Sequence, residues 1–276
     1  MTRLAIVVPY RERRQHLDQF EPHMRAYFAR DKLDKDIDYR VLIVEQEVGL
    51  PFNRGAPKNA GFLLAEAQSD YCCFHDIDYL PIWADYSPVD RPTPIVWYGA
   101  EERPIAPRRT NLVAKHNLDL FFGGALIVPN GIVRAVNGYS NDYWGWGYEE
   151  EDIKARFAAA GIATGWRKGT FLPLVHDSEG LKLDATPSAI ALVNQQLMQE
   201  RWAAGPPMAS DGLATLTFEV IARANLPDAM PERSAPWELV KVRLHGRPSA
   251  RQQDALAAPG IAAPGTAAPS APPGYH

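Results

Sequence analysis

The chain has 276 residues, 46% hydrophobic and 22% charged, enough for one large domain or two small ones with a sizeable core. Its formal net charge of −4 gives nucleic acid no bulk electrostatic attraction, and no apolar run is long enough to span a bilayer. The start, Met1-Thr2-Arg3-Leu4-Ala5-Ile6-Val7-Val8-Pro9, turns polar too quickly for a signal peptide and reads instead as a first strand.

Leu4 to Val8 is a continuous apolar run that predicts a buried strand ending at Pro9. Tyr39 to Val44 predicts a second strand and Tyr71 to Phe74 a third, with helical patterns between them at Arg13 to Arg30 and Asn59 to Ala67. This alternation is the signature of an α/β sheet with right-handed crossovers. Polar residues follow each strand: Arg11, then Glu45 and Gln46, then Asp76 and Asp78. In such sheets ligands bind outside the carboxyl ends of the strands, so these groups should converge. The adjacent Cys72 and Cys73 face opposite sides of a strand and read as core thiols, with a reducing cytoplasm as the expected setting.

Further on, short strands are expected at Ile95 to Tyr98, Phe121 to Val128 and Leu172 to Val175. Ile190 to Trp202 reads as an amphipathic helix, and Leu213 to Ile221 alternates as a strand would. From about Ser249 the chain is mostly Ala, Pro and Gly. The expectation is one domain over residues 1–247 and a disordered tail over 248–276.

The densest chemistry lies in Trp144-Gly145-Trp146-Gly147-Tyr148-Glu149-Glu150-Glu151-Asp152. Two indoles on a glycine-hinged exposed loop precede four acids, and Ile153, Phe157 and Ala160 follow at helical spacing up to Gly161. Acids in a first helical turn complement the macrodipole in any protein. Beside exposed tryptophans they could also bind a sugar and set a general base against one of its hydroxyls. Asp76 and Asp78 sit two apart on an extended segment and can share one divalent cation. Arg11, Arg13 and Arg54 are suited to phosphate. Phe52-Asn53-Arg54 and Lys58-Asn59, at a loop-to-helix junction, could hold a base and a pyrophosphate. His176 could complete a manganese site begun by a carboxylate, and Gly123-Gly124 allows close approach of a ligand to backbone.

Taken in order, Pro9-Tyr10-Arg11-Glu12-Arg13, Phe52-Asn53-Arg54, Asn59-Ala60-Gly61, Asp76-Ile77-Asp78, Phe122-Gly123-Gly124, Asn137-Gly138-Tyr139, Tyr143 to Asp152, His176-Asp177 and Ser210-Asp211-Gly212-Leu213 resemble the β-1,4-galactosyltransferase family. The likeness covers about residues 4 to 222 and is closest to the branch that transfers galactose to xylose. It implies a GT-A type nucleotide-sugar fold, a mixed central sheet flanked by helices, and inverting, manganese-dependent transfer from a UDP-sugar to a glycan hydroxyl. By position, Pro9, Tyr10, Arg11, Arg13, Phe52 and Arg54 would surround uridine and diphosphate, with Asp76 near the ribose or metal. Asp78 and His176 would ligate the metal, Gly124 would border the donor sugar, and Trp146 would be a mobile indole. Glu149 would hold a sugar hydroxyl and Glu150 would be the base, kept ionised by its helix N-terminus.

This chain departs from the family pattern where Glu150 replaces the usual aspartate, where Leu174 replaces a further ligand, and where Phe121 replaces the tyrosine of many relatives. A non-catalytic sugar-nucleotide or glycan-binding protein on the same fold is the alternative. Without the membrane anchor and disulfides of the animal enzymes, the expected setting is a bacterial cytoplasm, with the protein soluble or peripheral to a membrane.

Overall fold

The computed structural model of the protein describes residues 2–30, 37–96, 122–174, 188–227 and 236–258. In chain order the elements are β1 (Thr2–Tyr10), α1 (Arg14–Arg30), β2 (Ile37–Gln46), α2 (Gly55–Ala65), β3 (Tyr71–His75), β4 (Tyr79–Trp83) and β5 (Thr93–Pro94). There follow β6 (Ala125–Pro129), α3 (Asn130–Ala135), α4 (Glu149–Ala159), β7 (Thr170–Pro173), α5 (Ala189–Ala203), β8 (Phe218–Asn225), β9 (Trp237–Leu244) and α6 (Ala250–Ala257). A mixed sheet runs β5-β6-β3-β1-β2-β9-β8. Its centre is parallel, β3 and β2 flanking β1 and β9 pairing with β2, while the edge pairings β3–β6, β6–β5 and β9–β8 are antiparallel. β4 and β7 form a separate antiparallel pair. None of the described helices is long and apolar enough to cross a membrane.

The reading of Leu4 to Val8 as a buried strand holds, and both of its faces are covered. Leu4, Ile6 and Val8 enter one core with Phe20, Met24 and Tyr27 of α1, whereas Ala5 and Val7 enter the other with Ala60 and Phe62 of α2. Covering both faces removes any need for a polar stripe, so the run is uninterrupted. Full burial of each such aliphatic side chain contributes about 1.5–3 kcal/mol. α2 lies so close to the sheet that a Cβ on Gly61 would stand 2.3 Å from Val7 Cγ1. Cys72 and Cys73 are buried free thiols, and burial pushes both up in pKa.

Several boundaries moved for local reasons. α2 begins at Gly55, ahead of Asn59, where Asn53 Oδ1 accepts the Ala56 N–H at 2.9 Å and satisfies one donor of the first turn. The strand expected from Leu213 starts only at Phe218, because Leu213 donates to Asn137 O at 2.8 Å and Leu216 to Gly212 O at 3.0 Å, closing a turn. Near Ile95 the pairing is confined to Thr93 and Pro94. Phe121, Tyr98 and Val175 lie outside the described residues.

The packed chain does not stop at residue 247. Ser249 and Gln252 form a capping box that starts α6. Gln252, 1% exposed, donates to Asp142 O and to Asn194 Oδ1, each at 2.8 Å. The alanine-rich composition that suggested disorder also suits a helix once one face is buried. Residues 259–276 lie outside the described set.

Candidate active site

Because β1 is flanked on opposite sides by β2 and β3, the sheet has a topological switch point at its carboxyl edge, where α/β proteins bind ligands. Pro9, Tyr10, Arg11, Glu12 and Arg13 leave β1 there, and Asp76, Ile77 and Asp78 leave β3. With Phe52, Arg54, Gly145 and Trp146 they line one cleft. Eight residues expected to hold a nucleotide (Pro9, Tyr10, Arg11, Arg13, Phe52, Arg54, Asp76 and Trp146), together with Asp78 expected at the metal, therefore share this cleft. Arg11 lies 5.3 Å over the Phe52 ring and donates to Leu50 O, which fixes the loop carrying Phe52. Gly124 stands behind the lining. Its φ of +79° lets its carbonyl accept the Asp76 N–H at 2.7 Å, and a side chain there would strike Val96 and Tyr79.

Asp78 is buried and Asp76 half-buried at the cleft floor. Leu174, at the end of β7, donates to the Asp78 carbonyl at 2.7 Å, and His176 follows two residues later, outside the described residues. Among the described residues no cluster of three His, Cys, Asp or Glu groups could hold a metal. The two aspartates supply hard oxygen donors beside phosphate-suited arginines, a set that fits a magnesium- or manganese-like cation shared with a diphosphate. His75, just upstream, is not a candidate ligand. Its ring is fully buried, shares hydrogen bonds with Tyr86 Oη and Asp76 O at 2.9 Å each, and burial lowers its pKa to about 4.

The four acids do open a helix, α4, and Gly161 with φ +69° closes it. Gly161 donates to Ala158 O and Ile162 to Phe157 O, the paired bonds of a Schellman cap. Ala160, read as part of the apolar face, is exposed. The buried face instead carries an ion pair. Arg156 Nε donates to Asp152 Oδ2 at 2.6 Å and Nη2 to Asp211 Oδ2 at 3.0 Å, with both Asp152 and Arg156 fully buried. Asp152 also accepts from Tyr143 Oη and Trp202 Nε1. This network anchors the helix that presents Glu149 and Glu150.

Arg54 Nη1 donates to Glu149 Oε1 at 2.9 Å and lies 3.7 Å from Glu150 Oε1, and Lys58 Nζ lies 4.0 Å from the latter. Burial works against the Arg54 charge, but Glu149, Asp76, Glu150 and Asp78 hold it firmly protonated. Burial also works against Glu149, yet Arg54 and Lys58 hold it below the usual carboxylate range. Glu150 goes the other way. Burial, with Glu149 and Asp76 adding repulsion, pushes it up to about 8 against the pull of Lys58 and Arg54. The expectation that a helix N-terminus would keep Glu150 ionised is thus corrected: burial and the neighbouring acids raise its pKa. Its Oε1 is buried and makes no hydrogen bond among the described residues.

Two ligand-directed readings turn inward. Trp144 is 1% exposed in the core, so only Trp146 of the two indoles faces the cleft. Asn53 and Asn59 are fully buried: Asn53 Nδ2 donates to Asn141 O, and Asn59 brackets Tyr139 through its N–H and C=O. Lys58, read with Asn59 as part of a nucleotide-holding junction, likewise turns inward at 4% side-chain exposure, and Asn194 was not singled out. Lys58 is a lone charge among the apolar residues of α2, a pattern that marks a buried, partnered lysine. Asn194 lies one turn after Ile190 on the buried side of α5, and its Nδ2 donates to the carbonyls of Trp144 and Trp146 at 3.1 Å each.

Comparison with known proteins agrees with this geometry. Residues 1–86 match the N-terminal region of glycosyl transferase group 7, and residues 109–176 match the N-terminal domain of galactosyltransferase. Human β-1,4-galactosyltransferase 7 is 32% identical over 251 residues, which span 88% of this chain and 68% of the human protein. The chain belongs to the β-1,4-galactosyltransferase family.

A xylosylprotein 4-β-galactosyltransferase of Caenorhabditis elegans is 31% identical over 155 residues, 56% of this chain and 50% of that protein. The catalytic domain of Drosophila β-1,4-galactosyltransferase 7, solved with xylobiose, aligns at a TM-score of 0.67 and 24% identity, covering 89% of this chain and 95% of that one. A variant of the fly enzyme solved with manganese, UDP-Gal and xylobiose aligns at 0.65 and 22% identity. These family members share the GT-A type fold seen in this galactosyltransferase-family chain.

Proposed function

We propose that the protein is an inverting, metal-dependent galactosyltransferase that moves galactose from UDP-galactose to a hydroxyl of a xyloside or related glycan, with Glu150 as general base. The observation that carries this reading is the convergence of Asp76, Asp78, Arg54 and Trp146 on one cleft, with Glu149 and Glu150 held beside it by Arg54. The fly relative's complex with manganese, UDP-Gal and xylobiose supports donor, metal and acceptor class.

The chemistry follows from the demands of the step. Negative charge grows on the departing diphosphate as the bond from the anomeric carbon breaks. Asp78 and Asp76 would hold a manganese ion, with His176 as a further ligand, and the ion would neutralise that charge. Arg11 and Arg13 at the end of β1 add donors for phosphate oxygens. Phe52 and Tyr10 offer faces for the nucleoside. The acceptor hydroxyl attacks the anomeric carbon from the face opposite the leaving UDP, which inverts the centre, and its proton passes to Glu150. A carboxylate whose pKa is pushed up to about 8 is a stronger base than a solvated one, which suits a weakly acidic sugar hydroxyl. Glu149, held ionised by Arg54, would accept from a sugar hydroxyl and fix its position. Trp146 sits between Gly145 and Gly147, both at positive φ, and would close over the donor and exclude water.

The test is Glu150→Gln, which keeps shape and removes the base. Transfer should fall by about three orders of magnitude while UDP binding persists. Unchanged transfer would remove Glu150 from the mechanism.

A further inference from the structure

Lys58 has no role in the chemistry outlined above, yet it is one of the most deeply placed charges in the molecule. α2 carries it at 4% side-chain exposure, with Nζ 4.8 Å from the centre of the Tyr139 ring and 4.0 Å from Glu150 Oε1. A buried ammonium is costly unless it meets an opposite charge, so its placement calls for a partner. Glu150 Oε1 is buried without a hydrogen bond among the described residues, both carboxylate oxygens fill the space that a side chain on Gly123 would take, and the cations beside Oε1 are Arg54 at 3.7 Å and Lys58 at 4.0 Å. Arg54 is already engaged by Glu149 at 2.9 Å.

We propose that Lys58 is a positioning residue for the transfer step, a fixed counter-charge seated on the Tyr139 face that orients the Glu150 carboxylate and stabilises its ionised form. This rests on the galactosyltransferase reading above. The groups facing Glu150 are Lys58 from α2, Arg54 just before α2, Glu149 from its own helix, Asp76 after β3 and the ring of Tyr139. Of the two cations, Lys58 exerts the larger pull toward the ionised form. Without Lys58, one of the two charges opposing burial is gone, and the carboxyl holds its proton to higher pH. Arg54 remains to hold Glu149, so donor binding should be spared.

The test is Lys58→Met, which keeps length and apolar contact with Tyr139, compared with Lys58→Arg, which keeps the charge. Rates are measured across pH with saturating manganese, UDP-galactose and xyloside, and UDP affinity is measured by calorimetry. Lys58→Met should bind UDP within about threefold of wild type, lose about tenfold or more in kcat at neutral pH, and shift the acid limb of the kcat profile upward by about one unit or more. Part of the rate should return at alkaline pH, and Lys58→Arg should keep the limb near its wild-type position. A Lys58→Met enzyme with wild-type kcat, or with a lower kcat and an unmoved acid limb, would overturn the proposal. Should the methionine variant not fold, Lys58→Gln is read in the same way, and failure of both to fold would count against a role in chemistry. If wild type transfers normally, these outcomes judge Lys58 alone. If wild type shows no transfer, the galactosyltransferase reading fails and the proposal falls with it.

Discussion

The Glu150 carboxylate fills the space that a side chain on Gly123 would need: a Cβ there would stand 2.7 Å from Oε2 and 2.8 Å from Oε1. Glycine at this position therefore clears the seat of the base. Gly123→Ala should leave the fold intact, because the atoms it meets belong to the flexible end of a side chain. It should cost about 100-fold in kcat by displacing the carboxylate. Thermal melts together with steady-state rates check both halves of the expectation.

Transfer should be an alkaline reaction. The base works only when ionised, and burial, with the nearby Glu149 and Asp76, pushes the Glu150 carboxyl up to about 8. Its raised value means that the folded chain keeps a proton the unfolded chain would release. This group's stabilising contribution is therefore present at low pH and lost as pH rises through about 8, where the rate should climb. A rate profile already flat from mildly acidic pH would show that Glu150 is ionised earlier than its surroundings dictate.

The buried pair of Asp152 and Arg156 supports the helix that carries the base. Arg156→Met leaves Asp152 without its charged partner inside the protein, and should lower stability by about 3–5 kcal/mol. Urea denaturation would measure this. A loss under about 1 kcal/mol would mean that Tyr143 and Trp202, which also donate to Asp152, suffice to hold it.

Asn194 ties α5 to the Trp146 loop. Asn194→Ala leaves carbonyls of Trp144, Trp146 and Gly147 without their shared donor and should cost about 1–3 kcal/mol of stability. The KM for the donor should rise more than kcat falls. Gln252→Ala, one bond further out on α6, should show the same pattern more weakly.

What was legible beforehand divides along physical lines. The apolar runs at β1 and β3 and the aspartates at the end of β3 announced themselves, because burial on both faces and alternation along a strand leave a local imprint. So did the first turn of α4 and its glycine stop. The direction in which a polar or aromatic group points has no such imprint. Trp144, Asn53 and Asn59 carry the same residue types as ligand-contacting positions but serve the core, and only the fold decides between them. The Asp152–Arg156–Asp211 network depends on a turn 55 residues away from Arg156. α6 was hidden because an alanine- and proline-rich stretch carries little pattern, although its Ser249–Gln252 capping box is a sequence signal in its own right.

The most direct test of the central claim is to incubate the purified protein with manganese, UDP-galactose and a simple β-xyloside and to measure UDP release with and without each component. The cleft and the family membership predict release that requires manganese and is stimulated by the xyloside. No release under any condition, together with no UDP binding by calorimetry, would contradict the account and leave a non-catalytic protein on a glycosyltransferase fold.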